Sequence, residues 1–344
     1  MTQSAAREPT RPVTIRDVAK HAAVSKSLVS MVLRGAPHVS EVRRRAVLDA
    51  VAELDYRPNR TARTLSQARS DTVGVLLNDL ANPWFVDLLE GLSTALHAAG
   101  LAPILADSHT DLRVGRRSVE TLVAQGIDAL VVVGTTAESA AIAAAAESIP
   151  VVLAGTREPQ LPHVDIAVND DEVGGRLATQ HLIGLGHRRI AHLRGPGAVG
   201  DLRHAGYHAA MTDAGLDPDR YAEFGGMSEE SGYAAARRLL SRPDRPTAIF
   251  AFNDIAAIGA LSAAADDSIV VPTELSLVGY DNTYLARIRH ISLTCVDNGN
   301  FAVGVQAGKF LSERLQTPTL PARTYSVPTQ LHIRSTTAPA PAEA

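Results

Sequence analysis

At 344 residues, 45% hydrophobic and 20% charged, the chain is long for one domain and suggests two or three, and no apolar run reaches the ~18 residues that read as a membrane span. One cysteine excludes an internal disulfide, and the opening MTQSAAREPTRP lacks the apolar segment of a secretory signal, so a cytoplasmic location is the expectation. The net charge of −4 hides an asymmetry: residues 1–70 carry 13 Lys and Arg against 6 Asp and Glu, the rest 20 against 31. A basic head on an acidic body points to a polyanionic partner for the head alone.

The head opens with VTIRDVAKHAAVSKSLVSMVLRG. Thr14 followed by Asp17 is a capping box with Asp in place of Glu or Gln, and Ile15, Val18, Ala19 and Ala22 share one helical face. Ser25 caps a second helix whose Leu28, Val29 and Val32 point inward, while Lys26, Ser27, Ser30 and Met31 point outward. Two such helices joined by a tight turn form a helix-turn-helix, whose second helix enters the major groove. A third helix starts at Ser40, with Val42, Ala46, Val47, Ala50, Val51 and Leu54 expected to close a small core. Arg43, Arg44 and Arg45 crowd its first turn, where the helix dipole disfavours cations, which suggests phosphate partners. A three-helix protein-binding module is the alternative.

YRPNRTARTLSQARSDT, residues 56–72, has almost no apolar content and reads as a linker. Beyond it, β-branched runs alternate with amphipathic stretches: VGVLL, WFVDLLEGLSTALHAAG, APILAD, a polar helix to Gln125, and DALVVVG. The alternation recurs with helix Asp170–Leu185, RRIAHLRG, helices Leu202–Ala214 and Glu229–Ser241, TAIFAF, helix Asp254–Ala265 and LSLVGY. Such βαβ units predict two doubly wound parallel-sheet lobes, with any ligand beyond the carboxyl ends of the strands. STTAPAPAEA is Pro/Ala-rich, and residues 336–344 are expected to be a disordered tail.

These stretches, together with NPWF, GHRRIAHLRGP, RHAGY, FAFNDIAAIGAL and LSLVGYDN in that order, resemble the lactose/galactose (LacI/GalR) repressor family over residues 13–335. The resemblance implies an all-α helix-turn-helix head (13–57), a hinge helix or linker (58–70) and an α/β body of periplasmic-binding-protein type (71–335). The N-lobe would comprise about 71–166 and 298–326, and the C-lobe about 167–297 and 327–335. It implies a homodimer on a pseudo-palindromic double-stranded operator whose affinity changes when a small molecule binds between the lobes. No cofactor is implied.

By position, Thr14, Ser25, Arg34 and Asn59 would touch phosphates, and Lys26, Ser27, Ser30 and Met31 would face bases, with His38 at the groove edge. Tyr56 and Arg60 complete this surface. Met31 stands where relatives often carry a polar reader, and it offers only apolar contact, for example to a thymine methyl. In the hinge, Leu65 matches a minor-groove wedge, with Ala62 and Arg63 against the groove.

For the body, the resemblance places Asn82, Trp84, Phe85, Asp107, Arg203, Asn253 and Asp281 around the effector, with Arg157, Met227 and Asn300 nearby. Arg, Asp and Asn suit hydroxyls, and an aromatic face suits sugar C–H groups, so a carbohydrate is the expected effector. Gly155 replaces a carboxylate common in relatives; with Arg157 beside it, this points to a modified or more acidic ligand.

His204 and His208 lack further ligands and read as surface histidines rather than a metal site. RGPGAVG lacks a phosphate-loop pattern and reads as a strand-to-helix turn, and Cys295 as a buried small hydrophobe. No nucleophile has a base placed beside it, so an enzyme is not expected. A periplasmic-type sugar-binding protein without a DNA role is the alternative, and the absence of leucine heptads after 335 favours a dimer over a tetramer.

Overall fold

In the computed structural model the described residues are 13–33, 36–56 and 69–342, in two separate compact units, one ending at Ser70 and one beginning at Asp71. The first unit packs α1 (Ile15–His21), α2 (Lys26–Leu33) and α3 (Glu41–Glu53). The Asp17 carboxylate accepts from both the Thr14 N–H (2.8 Å) and the Thr14 hydroxyl (2.6 Å), fixing the start of α1. Ser25 Oγ accepts from the Leu28 N–H at 3.2 Å at the start of α2. Val18, Val29, Val32, Val39, Val47 and Ala50 are buried between the helices.

Val42 does not join them. It is 82% exposed, because the inward contacts of α3 begin at Ala46 and its first turn projects beyond so small a core. Arg44, expected to meet phosphate, donates instead to the Ala36 carbonyl at 2.7 Å, leaving Arg43 and Arg45 exposed. Tyr56, placed on the DNA surface by the resemblance, is buried against the same core with its N–H bonded to Val51 O.

The second unit holds two sheets. In the N-lobe, β1 (Thr72–Leu77), β2 (Ala102–Asp107), β3 (Ala129–Val133), β4 (Val151–Ala154), β5 (Asp165–Asn169) and β11 (Thr324–Val327) lie in the order β11-β5-β4-β3-β1-β2, all parallel. Their continuous apolar runs suit a sheet covered on both faces, here by α4 (Trp84–Ala98), α5 (Ser108–Arg113), α6 (Ser118–Ala124), α7 (Ser139–Ala146) and α12 (Asn300–Gln316).

In the C-lobe, β6 (Ile190–Arg194), β7 (Ala222–Phe224), β8 (Ala248–Ala251), β9 (Ser276–Tyr280), β10 (Thr294–Asp297) and β12 (Gln330–His332) lie in the order β12-β10-β9-β8-β6-β7, with β12 antiparallel to β10. Helices α8 (Asp171–Gly184), α9 (Gly197–Asp213), α10 (Glu229–Leu240) and α11 (Asp254–Asp266) cover it.

Each lobe brings helices together backbone to backbone. A Cβ on Gly91 of α4 would come within 2.1 Å of the Phe301 carbonyl oxygen of α12, and one on Gly304 within 2.0 Å of that of Leu88. Gly175 and Gly206 do the same for α8 and α9, and Gly232 and Gly259 for α10 and α11.

The chain passes between lobes at Asn169–Asp171, Asp297–Asn300 and Val327–Gln330. The first passage falls after Asn169 rather than at 166, because β5 pairs through Asn169 with β11 and so belongs to the N-lobe. The polar helix to Gln125 is two helices, broken near Gly115 with its φ of 71°. Helix α9 starts at Gly197, five residues before its apolar periodicity begins.

The tail is the clearest correction. Thr336 Oγ1 donates to Leu277 O (2.7 Å), the Leu277 N–H to Thr336 O (2.7 Å), and the Ala340 N–H to Leu185 O (2.8 Å). His187 Nε2 bonds Ala338 O at 3.1 Å. The Pro/Ala composition hides this anchoring because it works through backbone groups and small hydroxyls rather than apolar side chains.

Candidate functional site

Beyond the carboxyl ends of the strands of both lobes lies a cavity of about 230 Å³. From the N-lobe it is lined by Asn78 after β1, by Asn82, Trp84 and Phe85 at the start of α4, by Gly134, Thr135 and Gly155, and by Asn169 at the first passage. The C-lobe contributes Pro196, Gly197 and Val199 at the start of α9, then Arg203, Met227, Phe252, Asn253 and Asp281.

Asn82 Oδ1 accepts from the Trp84 N–H at 3.0 Å and so sets the turn that presents the indole. Trp84 and Phe85 meet edge to face, 4.9 Å apart. Gly155 acquires its reason here: a Cβ would lie 2.3 Å from the indole, so a carboxylate at this position is incompatible with Trp84 as placed. Asn78 Oδ1 and Trp84 Nε1 are both buried without a partner. Buried polar atoms in that state call for a ligand or water.

The C-lobe wall is bonded already. Asn253 caps α11, its Oδ1 accepting from the Ala256 N–H (2.8 Å) while its Nδ2 donates to Met227 O (3.1 Å). Arg203 is wholly buried between the rings of Tyr280 (3.6 Å) and Phe252 (4.6 Å). Its Nε donates to Asp171 (2.9 Å), its Nη1 to Phe252 O (2.6 Å) and its Nη2 to Asp281 (3.4 Å). Burial would discharge the guanidinium, but Asp171 and Asp281 keep it charged. Burial also pushes the Asp281 carboxyl upward, against the pull of Arg203.

Three expected effector residues stand elsewhere. Asp107 is the N-cap of α5, accepting from the N–H (3.1 Å) and hydroxyl (3.0 Å) of Thr110; despite burial, these bonds hold its carboxyl below the usual range. Arg157 is exposed and does not line the cavity, which removes the basis for an acidic ligand. Asn300 starts α12 and donates to the Asp281 backbone carbonyl at 3.1 Å, on the far side of that residue. Asn78, Asn169 and Phe252 were missed; Asn78 and Phe252 directly follow β1 and β8 and Asn169 ends β5, so a place at the carboxyl end of a strand was the one signal that marked them.

His204 is half-buried and stacks on His192, whose own burial pushes it down to about 3 while its Nδ1–H donates to Phe250 O. Cys295 is buried as expected, but its thiol also donates to Asp254, 2.7 Å away. Among the described residues no group of three metal-ligating side chains occurs, and no helix is long and apolar enough to cross a membrane.

On the first unit, Lys26, Ser27 and Met31 lie along the exposed side of α2 with Ser30 half-buried; Ser25, directly before the helix, and His38 are exposed, and Thr14 is half-buried. Arg34, Asn59, Arg60, Ala62, Arg63 and Leu65 lie outside the described residues, as does the expected hinge helix.

A helix-turn-helix unit and a two-lobed body with a cavity between its lobes define a DNA-binding regulator with a small-molecule sensor. The chain belongs to the LacI family of bacterial regulatory proteins. That family's head domain matches residues 14–59, and the periplasmic binding protein-like domain matches residues 179–337.

The chain is 34% identical over 312 residues to the ribose operon repressor of Escherichia coli, covering 89% of this chain and 94% of that one. It is 32% identical over 330 residues to the repressor PurR of Erwinia tasmaniensis (94% and 96% covered). The lac repressor dimer bound to operator superposes with a TM-score of 0.83 at 28% identity (95% and 100% covered), and the regulator CelR in its cellobiose complex with 0.71 at 30% (95% and 100%). The protein is therefore a transcriptional repressor whose DNA binding is governed by a small-molecule effector, rather than a sugar-binding protein alone; these relatives are repressors and not enzymes.

Proposed function

We propose that the protein acts in the cytoplasm as a homodimeric repressor released or tightened by an uncharged, single-ring carbohydrate. The observation that carries this reading is the cavity's chemistry. Two unpartnered polar atoms, Asn78 Oδ1 and Trp84 Nε1, sit beside aromatic faces and opposite a guanidinium and carboxylate already paired with each other. A sugar supplies hydroxyls to both unpartnered atoms and to the free edges of Arg203 and Asp281, and C–H faces to Trp84, Phe85 and Phe252. Among the described residues Arg203 is the cation that lines the cavity, and its charge is already met by Asp171 and Asp281, which disfavours a phosphate or carboxylate. The volume lies below the roughly 300–1,000 Å³ of drug-sized ligand pockets, which favours one ring over two. Among the similar solved structures, a LacI-family regulator from Enterococcus faecium carries bound ribose.

On DNA, Thr14, Ser25, Arg34 and Asn59 hold phosphates while Lys26, Ser27, Ser30 and Met31 face bases, Met31 against a thymine methyl. Leu65, with Ala62 and Arg63, forms the minor-groove wedge of the hinge. Exposed apolar side chains at the sheet edges, Ile104 and Leu105 on β2 and Phe224 on β7, fit an isologous contact with a second copy.

Selection from a randomised duplex library, with and without a panel of neutral pentoses and hexoses, tests the reading. A retained palindrome whose retention one neutral monosaccharide alters is expected. Retention altered only by sugar phosphates or purines would overturn the ligand class, and retention of no common sequence would overturn the assigned DNA surface.

A further inference from the structure

Arg203 touches more than the cavity. Its Asp171 partner opens α8 directly after the first passage between lobes, and the same Asp171 oxygen accepts from Asn169 Nδ2 at 2.9 Å, closing that passage on itself. Its other partner, Asp281, reaches the second passage twice. Asn298 Nδ2 donates to Asp281 Oδ1 at 3.0 Å, and Asn300 Nδ2 to the Asp281 backbone carbonyl at 3.1 Å. Asp281 is held for this at φ 98°, a conformation that non-glycine residues rarely adopt. The third passage leans on the second: Gly299, at φ 69°, leaves room for Val327, whose Cγ1 would lie 2.4 Å from a Cβ there. Asn298 Oδ1 and Asn300 Oδ1 are buried without partners, so each amide is spent on its single bond to Asp281.

We infer that Arg203, through Asp281, sets the angle between the lobes, with Asn298 and Asn300 as positioning residues that transmit it to the connecting strands. One guanidinium is bonded to the first passage and, through one carboxylate, to the second. Any ligand that hydrogen-bonds Arg203 or Asp281 in the cavity redistributes bonds that also hold the passages, and so acts on lobe angle without contacting the strands that bend. This last step rests on the proposed role of the cavity; the clamp itself does not.

Trp84, the only tryptophan of the chain, lines the cavity and becomes accessible when the lobes part. Acrylamide quenching of its emission in the full-length, ligand-free protein therefore reads the lobe angle directly. Asn298→Ala and Asn300→Ala are expected to raise the quenching constant at least twofold. Asn298→Asp, which keeps the shape but replaces the amide donor with a second carboxyl beside Asp281, should raise it further. The double Ala variant should fall short of the product of the two single effects, because both act through Asp281. Variants that merely loosen the fold would lower the urea midpoint without this ordering. Should Asn298→Ala not fold, Asn169→Ala on the first passage carries the same expectation.

Unchanged quenching in folded Asn298→Ala and Asn300→Ala would overturn the clamp, whichever DNA or sugar the protein prefers. A failed operator selection would overturn the proposed function and leave the quenching result standing.

Discussion

The two lobes share a topology but face the cavity in opposite states. On the C-lobe side Arg203 is bonded to Asp171 and Asp281, and Asn253 to the Ala256 N–H and the Met227 carbonyl, before any ligand arrives. The N-lobe side presents an aromatic edge and two atoms, Asn78 Oδ1 and Trp84 Nε1, with nothing to bond. One wall is preorganised and couples to the passages, while the other carries an unmet demand that only an occupant can satisfy. Affinity and response are thereby placed on different lobes, and mutations should separate them.

The largest expected effect is on the bonded wall. Arg203→Ala strands two buried carboxylates and should cost about 3–5 kcal/mol in urea unfolding. A loss under about 1 kcal/mol would mean that the two carboxyl groups do not depend on Arg203, and the contrast between walls would vanish.

Acid should weaken the C-lobe next. Burial lowers His192 to about 3 and also lowers His181, His187 and His204, so the unfolded chain, with histidines near 6.5, takes up protons first. The stability these groups contribute is present above that value and is lost as pH falls through their lowered values, for His192 about 3, with a slope of up to about 1.4 kcal/mol per pH unit for each histidine. Asp254, raised by burial to about 6 from 3.8, runs the other way and offsets one proton below about pH 6. Urea midpoints should therefore drop between about pH 7.5 and about pH 6, and His192→Gln should flatten that drop by one proton; an unaltered slope would place His192 outside the linkage.

On the unbonded wall the sign reverses. Asn78→Leu removes a buried, unpartnered oxygen, so stability should hold or rise by up to about 1 kcal/mol, while the sugar identified by library selection loses its influence on DNA retention. A clear loss of stability with the response intact would contradict the assignment.

The smallest effect belongs to the half-exposed pair Arg287–Asp87, 3.6 Å apart across the lobes. Arg287→Ala should change the Trp84 quenching constant by less than about twofold, as surface ion pairs contribute about 0–1 kcal/mol.

Local chemistry was legible in the sequence where it acts locally. The Thr14–Asp17 cap and the Ser25 cap need only residues three apart, and the structure has both. The strand-and-helix alternation likewise announced two doubly wound lobes, and residues after strands marked most of the cavity. Asp107 shows the limit of that rule: a carboxylate after a strand serves equally as ligand or as helix cap, and only the neighbouring N–H groups decide. Asn298 carried only its place directly after β10, since its partner Asp281 is 17 positions away, after another strand. Val42 and the tail failed for opposite reasons. An apolar periodicity ran past the end of its core, and a segment with no periodicity was held by backbone bonds.

The reciprocal glycine contacts have a mechanical consequence. Helices that meet backbone to backbone leave no side-chain layer to compress, so each lobe is a stiff lever and the three connecting strands are its compliant pivot. The carboxyl end of β1 reaches the cavity at Asn78, and its other end, at Thr72, is where the body receives the chain from the linker. Six residues of strand span about 20 Å. A stiff arm of about that length turns each degree of rotation at the pivot into roughly a third of an ångström at its tip.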